Sequence, residues 1–81
     1  MSVRLLLFAS AREAAGTSSA EFPPSTLGEL LADARARYGD AFAEVLDCAR
    51  VWVNGDEPTA GDATRVADGD EVAVIPPVSG G

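Results

Sequence analysis

From Val3 to Ala9 the chain is apolar but for Arg4, and the stretch reads as a first strand with successive side chains on opposite faces. Val3, Leu5 and Leu7 point one way and form a candidate core face, while Arg4, Leu6 and Phe8 point the other. That second face is apolar at its end and calls for partial cover by something else. A connection from Ser10 to Gly16 follows, containing Arg12-Glu13, and Thr17 to Phe22 reads as a second strand closing a hairpin with a long loop. Pro23-Pro24 end it, because proline has no N–H to give a sheet ladder. The period then changes. Leu27, Leu30, Leu31, Ala34 and Tyr38 recur at helical spacing behind Thr26 and Glu29, which fit a capping box. Asp33 and Arg37 stand four apart for a weak ion pair, and Gly39 suits a left-handed position after the helix. Ala41 to Leu46 predicts one more short helical turn. Arg50 to Asn54 reads as a strand with Val51 and Val53 on one face and Trp52 on the other, and Asn54-Gly55 is a tight-turn signal. Residues 57–66 are polar and turn-rich, with at most short edge strands. After a turn at Asp68-Gly69-Asp70, Glu71 to Ile75 form the last strand, with Val72 and Val74 opposed to Ala73 and Ile75.

The order β-β-α-β-(β)-β predicts an α+β fold: one mixed sheet of four to five strands with a helix packed across one face. The first and last strands are the most apolar and belong at the sheet centre. Running parallel there, they deliver the end of the chain beside the end of strand one. Eighty-one residues predict one domain, a body over 1–76 with a flexible tail over 77–81. A domain of this size buries only roughly 60% of the surface its unfolded chain exposes, so its core is modest.

Charge and composition narrow the chemistry. Thirteen acids against six bases leave a net charge of −7, which would repel a phosphate backbone and disfavours nucleic acid as a partner. The longest apolar run, Leu5 to Ala9, is far below the ~20 residues of a membrane span. No secretory signal is read at the start, so the expected compartment is cytoplasmic. Histidine is absent and Cys48 is the single cysteine, so neither acid–base work by His nor a thiolate metal cluster is available. The chain is therefore expected not to catalyse alone, and no metal ligands are assigned. Cys48 is expected as a half-buried small apolar residue. All six bases are Arg, so the body offers no lysine amine to accept an isopeptide bond from another copy.

The candidate chemistry lies in Pro76-Pro77-Val78-Ser79-Gly80-Gly81. The prolines end the strand ladder and stiffen the exit. Beyond them the side chains shrink to nothing, and Pro77 to Gly81 spans at most ~17 Å at ~3.4 Å per residue. Such a thread fits a narrow channel in which a Cβ would collide. The Gly81 α-carboxylate is ionised at neutral pH and a poor electrophile until activated. Adenylation at the α-phosphate of ATP and attack by a sulfur donor would convert it to a thiocarboxylate, with the machinery supplied by partners.

Two stretches carry a resemblance. Leu7-Phe8-Ala9, Arg12-Glu13 and Gly16-Thr17 form one; Asp68-Gly69-Asp70-Glu71-Val72-Ala73 running into the Pro-Pro-Val-Ser-Gly-Gly end forms the other. With them the sequence resembles the small, sulfur-carrying subunits of molybdopterin synthase, MoaD/ThiS-like members of the ubiquitin-like β-grasp superfamily. The resemblance implies a β-grasp fold. It implies that Gly81 is adenylated by a ubiquitin-activating-type adenylyltransferase, which uses the ATP, and thiocarboxylated from a sulfur donor protein. It implies that Pro77, Val78, Ser79 and Gly80 insert with it into the large subunit, where cyclic pyranopterin monophosphate takes the sulfur. No cofactor is bound by the chain itself. Phe8, Ile75 and Pro76 match partner-contacting apolar positions, Ile75 standing where an aromatic residue is common.

Other readings stay open on sequence alone. Phe8 and Ile75 suit a second core layer or cover by a loop as well as a partner. Arg12-Glu13 suits a local ion pair or loop brace, and Trp52 suits packing or binding equally. The recipient pathway could instead be thiamine or cysteine, the chain could be a ubiquitin-like modifier joined to lysines on other proteins, or it could be an interaction module with an inert tail.

Overall fold

The structure, a computed structural model, describes residues 1–77. The tail positions Val78, Ser79, Gly80 and Gly81 lie outside the described residues. The main sheet has four strands, β1 (Val3–Leu7), β2 (Ser19–Phe22), β4 (Arg50–Val53) and β6 (Glu71–Ile75), in the order β2-β1-β6-β4. β1 and β6 are central and parallel, with Leu5 opposite Val72 and Leu7 opposite Val74. β2 is antiparallel to β1 and β4 antiparallel to β6. The mixed sheet and its parallel centre follow the expectation from apolar content.

One face of the sheet is covered. Val3, Leu5, Leu7, Val72 and Val74 are buried against Leu27, Leu30, Leu31 and Ala34 of helix α2 (Leu27–Tyr38) and Phe42 and Leu46 of helix α3 (Asp40–Cys48). Each of these valine, leucine and phenylalanine side chains stabilises the fold by roughly 1.5–3 kcal/mol relative to exposure. The capping box at α2 forms as expected: Glu29 N–H donates to Thr26 Oγ1 at 3.3 Å, and Thr26 N–H donates to Glu29 Oε1 at 3.3 Å. Gly28 is required there, since a Cβ would sit 2.9 Å from Asp62 Cβ and 3.2 Å from the Asp62 carbonyl oxygen.

Several expectations are corrected. Strand one stops at Leu7, and the stretch read as a loop is helix α1 (Ala9–Ala15). Four alanines, the strongest helix formers, make it, and Gly16 closes it in the left-handed region at φ 76°. Ala11 is fully buried, and α1 packs on α3, which supplies the support that so short a helix lacks alone. The turn expected over Ala41 to Leu46 is the nine-residue α3. Among the described residues α1 and α3 therefore join α2 against the sheet. A second, two-stranded sheet pairs β3 (Ser25–Thr26) with β5 (Arg65–Val66), so the short strand expected in 57–66 does not join the main sheet. Gly39 has positive φ (91°) but ψ −171°, an extended rather than a left-handed helical end. No Asp33–Arg37 ion pair forms among the described residues: Arg37 stacks over the Phe22 ring at 4.3 Å, and the helix ion pair is Arg35–Asp47 at 3.3 Å. Arg12 and Glu13 lie exposed on α1 and form no ion pair with each other.

Candidate functional site

The uncovered face of the sheet and the root of the tail form one surface. Strand alternation sends the valines inward, so the residues between them face out. Cross-strand register sorts these into three rows. Nearest the tail, Arg50 is opposite Ile75, and Phe8 follows Leu7, which is opposite Val74. The Phe8 N–H donates to the Val74 carbonyl at 3.3 Å, which fixes Phe8 beside the end of β6. In the middle row Ser19, Leu6, Ala73 and Trp52 stand opposite one another in turn. In the far row Glu21, Arg4 and Glu71 follow, with Arg4 Nη1 3.8 Å from Glu71 Oε2.

Phe8 is 45% exposed and Ile75 39%, the two large apolar side chains that this face leaves open to solvent. Neither a second core layer nor a loop covers them among the described residues. Trp52 falls on this open face with Leu6 and Ala73, where it is half-buried. The signal was its parity opposite Val51 and Val53; what the sequence lacked was which parity the helices cover. Arg50 shares that parity and was not singled out.

At the tail root, Pro76 is buried and Pro77 exposed. On the side away from the open face, both line a hollow of about 270 Å³ with Ser10, Glu44, Val45 and Cys48. Cys48 ends α3 and is exposed, not half-buried as expected. At the opposite end of the central strands, Asp70 accepts from the Ala67 N–H at 2.8 Å and from the Asn54 side-chain amide at 3.1 Å. Those hydrogen bonds, the Ala67 N–H first, hold the Asp70 carboxyl below its ordinary range. Asn54 Oδ1 in turn accepts the Glu71 N–H at 2.9 Å, so this end is a brace for the start of β6. No group of three or more His, Cys, Asp or Glu among the described residues is placed to hold a metal ion, and no helix there is long and apolar enough to cross a membrane.

The arrangement brings the chain past an apolar row at the end of the central parallel pair of strands. The expected partner positions Phe8 and Ile75 come together, with Pro76 beneath them; the expected acceptor of chemistry, Gly81, lies outside the described residues. Comparison with known proteins agrees with this geometry. A molybdopterin synthase sulfur carrier subunit from Aedes aegypti is 40% identical, over 98% of this chain and 88% of its own length. The protein of the same name from Chlamydomonas reinhardtii is 34% identical over all of both chains. The crystal structure of small archaeal modifier protein 1 from Haloferax volcanii superposes with a TM-score of 0.82 at 30% identity, again covering all of both chains. The family model described as ThiS matches residues 5–81, and with these full-length relatives and a ubiquitin-like β-grasp architecture the chain belongs to the ThiS family.

Proposed function

We propose that this chain is a sulfur carrier of molybdenum cofactor biosynthesis and that Gly81 is the carrying residue. The observation that supports it is the match, through residue 81, to relatives named as sulfur carrier subunits of molybdopterin synthase. The Gly81 carboxylate attacks the α-phosphate of ATP on an adenylyltransferase and pyrophosphate leaves. A donor's persulfide then attacks the acyl carbon and AMP leaves; a thiol reductant cleaves the S–S bond of the resulting acyl disulfide, freeing the donor thiol and leaving the thiocarboxylate. That sulfur passes to cyclic pyranopterin monophosphate in the large subunit. In this reading Pro77 to Gly80 thread the channel, Phe8 and Ile75 dock the body, and Pro76 anchors the root from beneath. Every catalytic group belongs to a partner, as befits a chain without histidine.

Intact-mass measurement after incubation with the activating enzyme, ATP and a sulfur source tests this. The expected product has one C-terminal oxygen replaced by sulfur, and removing Gly81 abolishes the change while the fold persists. A competent enzyme that never produces the shift rejects the proposal. Copurification with a pterin-binding subunit, rather than a thiazole or cysteine synthase, distinguishes the recipient.

The similarity to small archaeal modifier protein 1 favours a second reading, a protein modifier joined through Gly81 to lysines of other proteins. Gly-Gly remnants on peptides recovered with a tagged chain would support it. With no lysine of its own, the chain should yield single adducts on target lysines and no lysine-linked polymers.

A further inference from the structure

The open face is electrically uneven. Its middle row is uncharged and mostly apolar, with Ser19, Leu6, Ala73 and Trp52. Its far row holds Glu21, Arg4 and Glu71, and Arg4 is matched by Glu71 at 3.8 Å, so an acid remains in excess. The row at the tail root instead places one cation, Arg50, beside Ile75 and Phe8. In a chain of net charge −7 an outward cation on an otherwise apolar row is the exception.

Arg50 does have an intramolecular neighbour. Its Nη1 lies 3.7 Å from Glu57 Oε1, with the two side chains 75% and 71% exposed. Such a long, solvated pair contributes little to folding, and the ladder of β4 forms through the backbone whatever the side chain. The pair is loose enough to exchange. A guanidinium beside a hydrophobic row suits a carboxylate, which it grips with two parallel hydrogen bonds once docking excludes water.

We infer that Arg50 is a specificity-determining residue of the docking face: it exchanges Glu57 for a carboxylate that the large synthase subunit presents at the edge of the apolar surface receiving Phe8, Ile75 and Trp52. This rests on the sulfur-carrier reading and adds the chemistry of the partner surface. Glu57 acts as a placeholder that competes with the partner's acid, and the excess acid at Glu21 sets the opposite end of the face against a basic or neutral surface. The pattern orients the body so that the tail root, and not the far row, meets the mouth of the channel.

The two Arg50 partners give opposite signs, which makes the inference testable. Binding of the purified large subunit is followed by titration at low and high salt, with thermal unfolding of each variant as a check on folding. Arg50→Glu should weaken binding by about ten-fold or more and Arg50→Ala by about three-fold, both effects shrinking with salt. Glu57→Gln should bind as tightly as the unaltered chain or tighter, since it removes the competitor. Arg50→Ala and Glu57→Gln carry the test if Arg50→Glu does not fold. If Arg50→Ala binds within two-fold of the unaltered chain, or Glu57→Gln weakens binding as much as Arg50→Ala does, the pair is only a surface brace and the inference fails. In either case an unaltered chain that still acquires sulfur and binds the large subunit leaves the carrier reading standing. An unaltered chain that does not bind the large subunit overturns both.

Discussion

The two faces of the central strands use the same kind of residue for different ends. On β1 and β6 the inward set, Val3, Leu5, Leu7, Val72 and Val74, is at most 2% exposed under the helices. The outward set on these strands and just past the end of β1 includes Ile75 and Phe8, which remain 39% and 45% exposed. The helices of the described residues cover one face of the sheet, and the other face leaves Phe8 and Ile75 open to solvent with Leu6, Ala73 and Trp52 half-buried beside them. Contiguous exposed apolar area marks a surface meant to be covered by another molecule. The inner face therefore carries stability; under the proposed function the outer face carries recognition, and substitutions at inward and outward positions should separate the two.

The largest effect expected is at Leu5. Leu5→Ala removes a fully buried side chain from the core cluster and should cost about 2–5 kcal/mol. Total stability for a domain of this length is of order 5–15 kcal/mol, so denaturant or thermal unfolding should register a large loss. Phe8→Ala, three positions on but outward, should change unfolding by less than about 1 kcal/mol and weaken partner binding by about ten-fold. If the two variants lose stability equally, the outer face is part of the core and the division between faces fails.

A smaller effect sharpens the same division at the helix that covers the inner face. Thr26→Ala removes the reciprocal pair with Glu29 at the start of α2 and should cost about 1 kcal/mol. A domain of 60–100 residues loses roughly 4–8 °C in melting temperature per kcal/mol, within reach of a simple melt. Partner binding should not change, because no atom of the cap reaches the open face. A binding loss comparable to that of Phe8→Ala would show that the helix side also contacts the partner.

What the sequence disclosed follows the same physics. β1, α2 and β6 were legible because large apolar residues recur there at a fixed period beside a cap or a turn. α1 was not, because its inward positions are alanines and give no contrast between faces; Ala11 is nonetheless fully buried because a methyl group suffices when a helix lies close. The second sheet escaped notice because two-residue strands are too short to alternate. Cys48 misled through residue type, since free cysteine is usually buried and this one ends a helix at the surface. At the candidate site, Phe8 and Ile75 could be named from their strands. Joining them to Trp52 and Arg50 required the register of β4 on β6, which no local pattern encodes.

The smallest effect expected is a pH dependence at the end of the sheet farthest from the tail. Asp70 is solvated, yet the Ala67 N–H and the Asn54 amide hydrogen-bond to its carboxylate and hold its folded pKa below the ordinary value. A carboxyl whose pKa is depressed on folding adds stability that is fully present above the unfolded pKa, about 3.9, and is lost as pH falls through the lower folded value. The unaltered chain should therefore melt above Asp70→Ala by a constant margin at neutral pH. That margin should narrow on the acid side of about pH 4 as the carboxylate is protonated. Because the brace fixes the start of β6 and not the tail root, sulfur transfer at neutral pH should be unaffected by the substitution. A margin unchanged into strong acid would mean that the brace acts through shape rather than charge, and a loss of transfer at neutral pH would mean that the far end of the strands is coupled to the tail root.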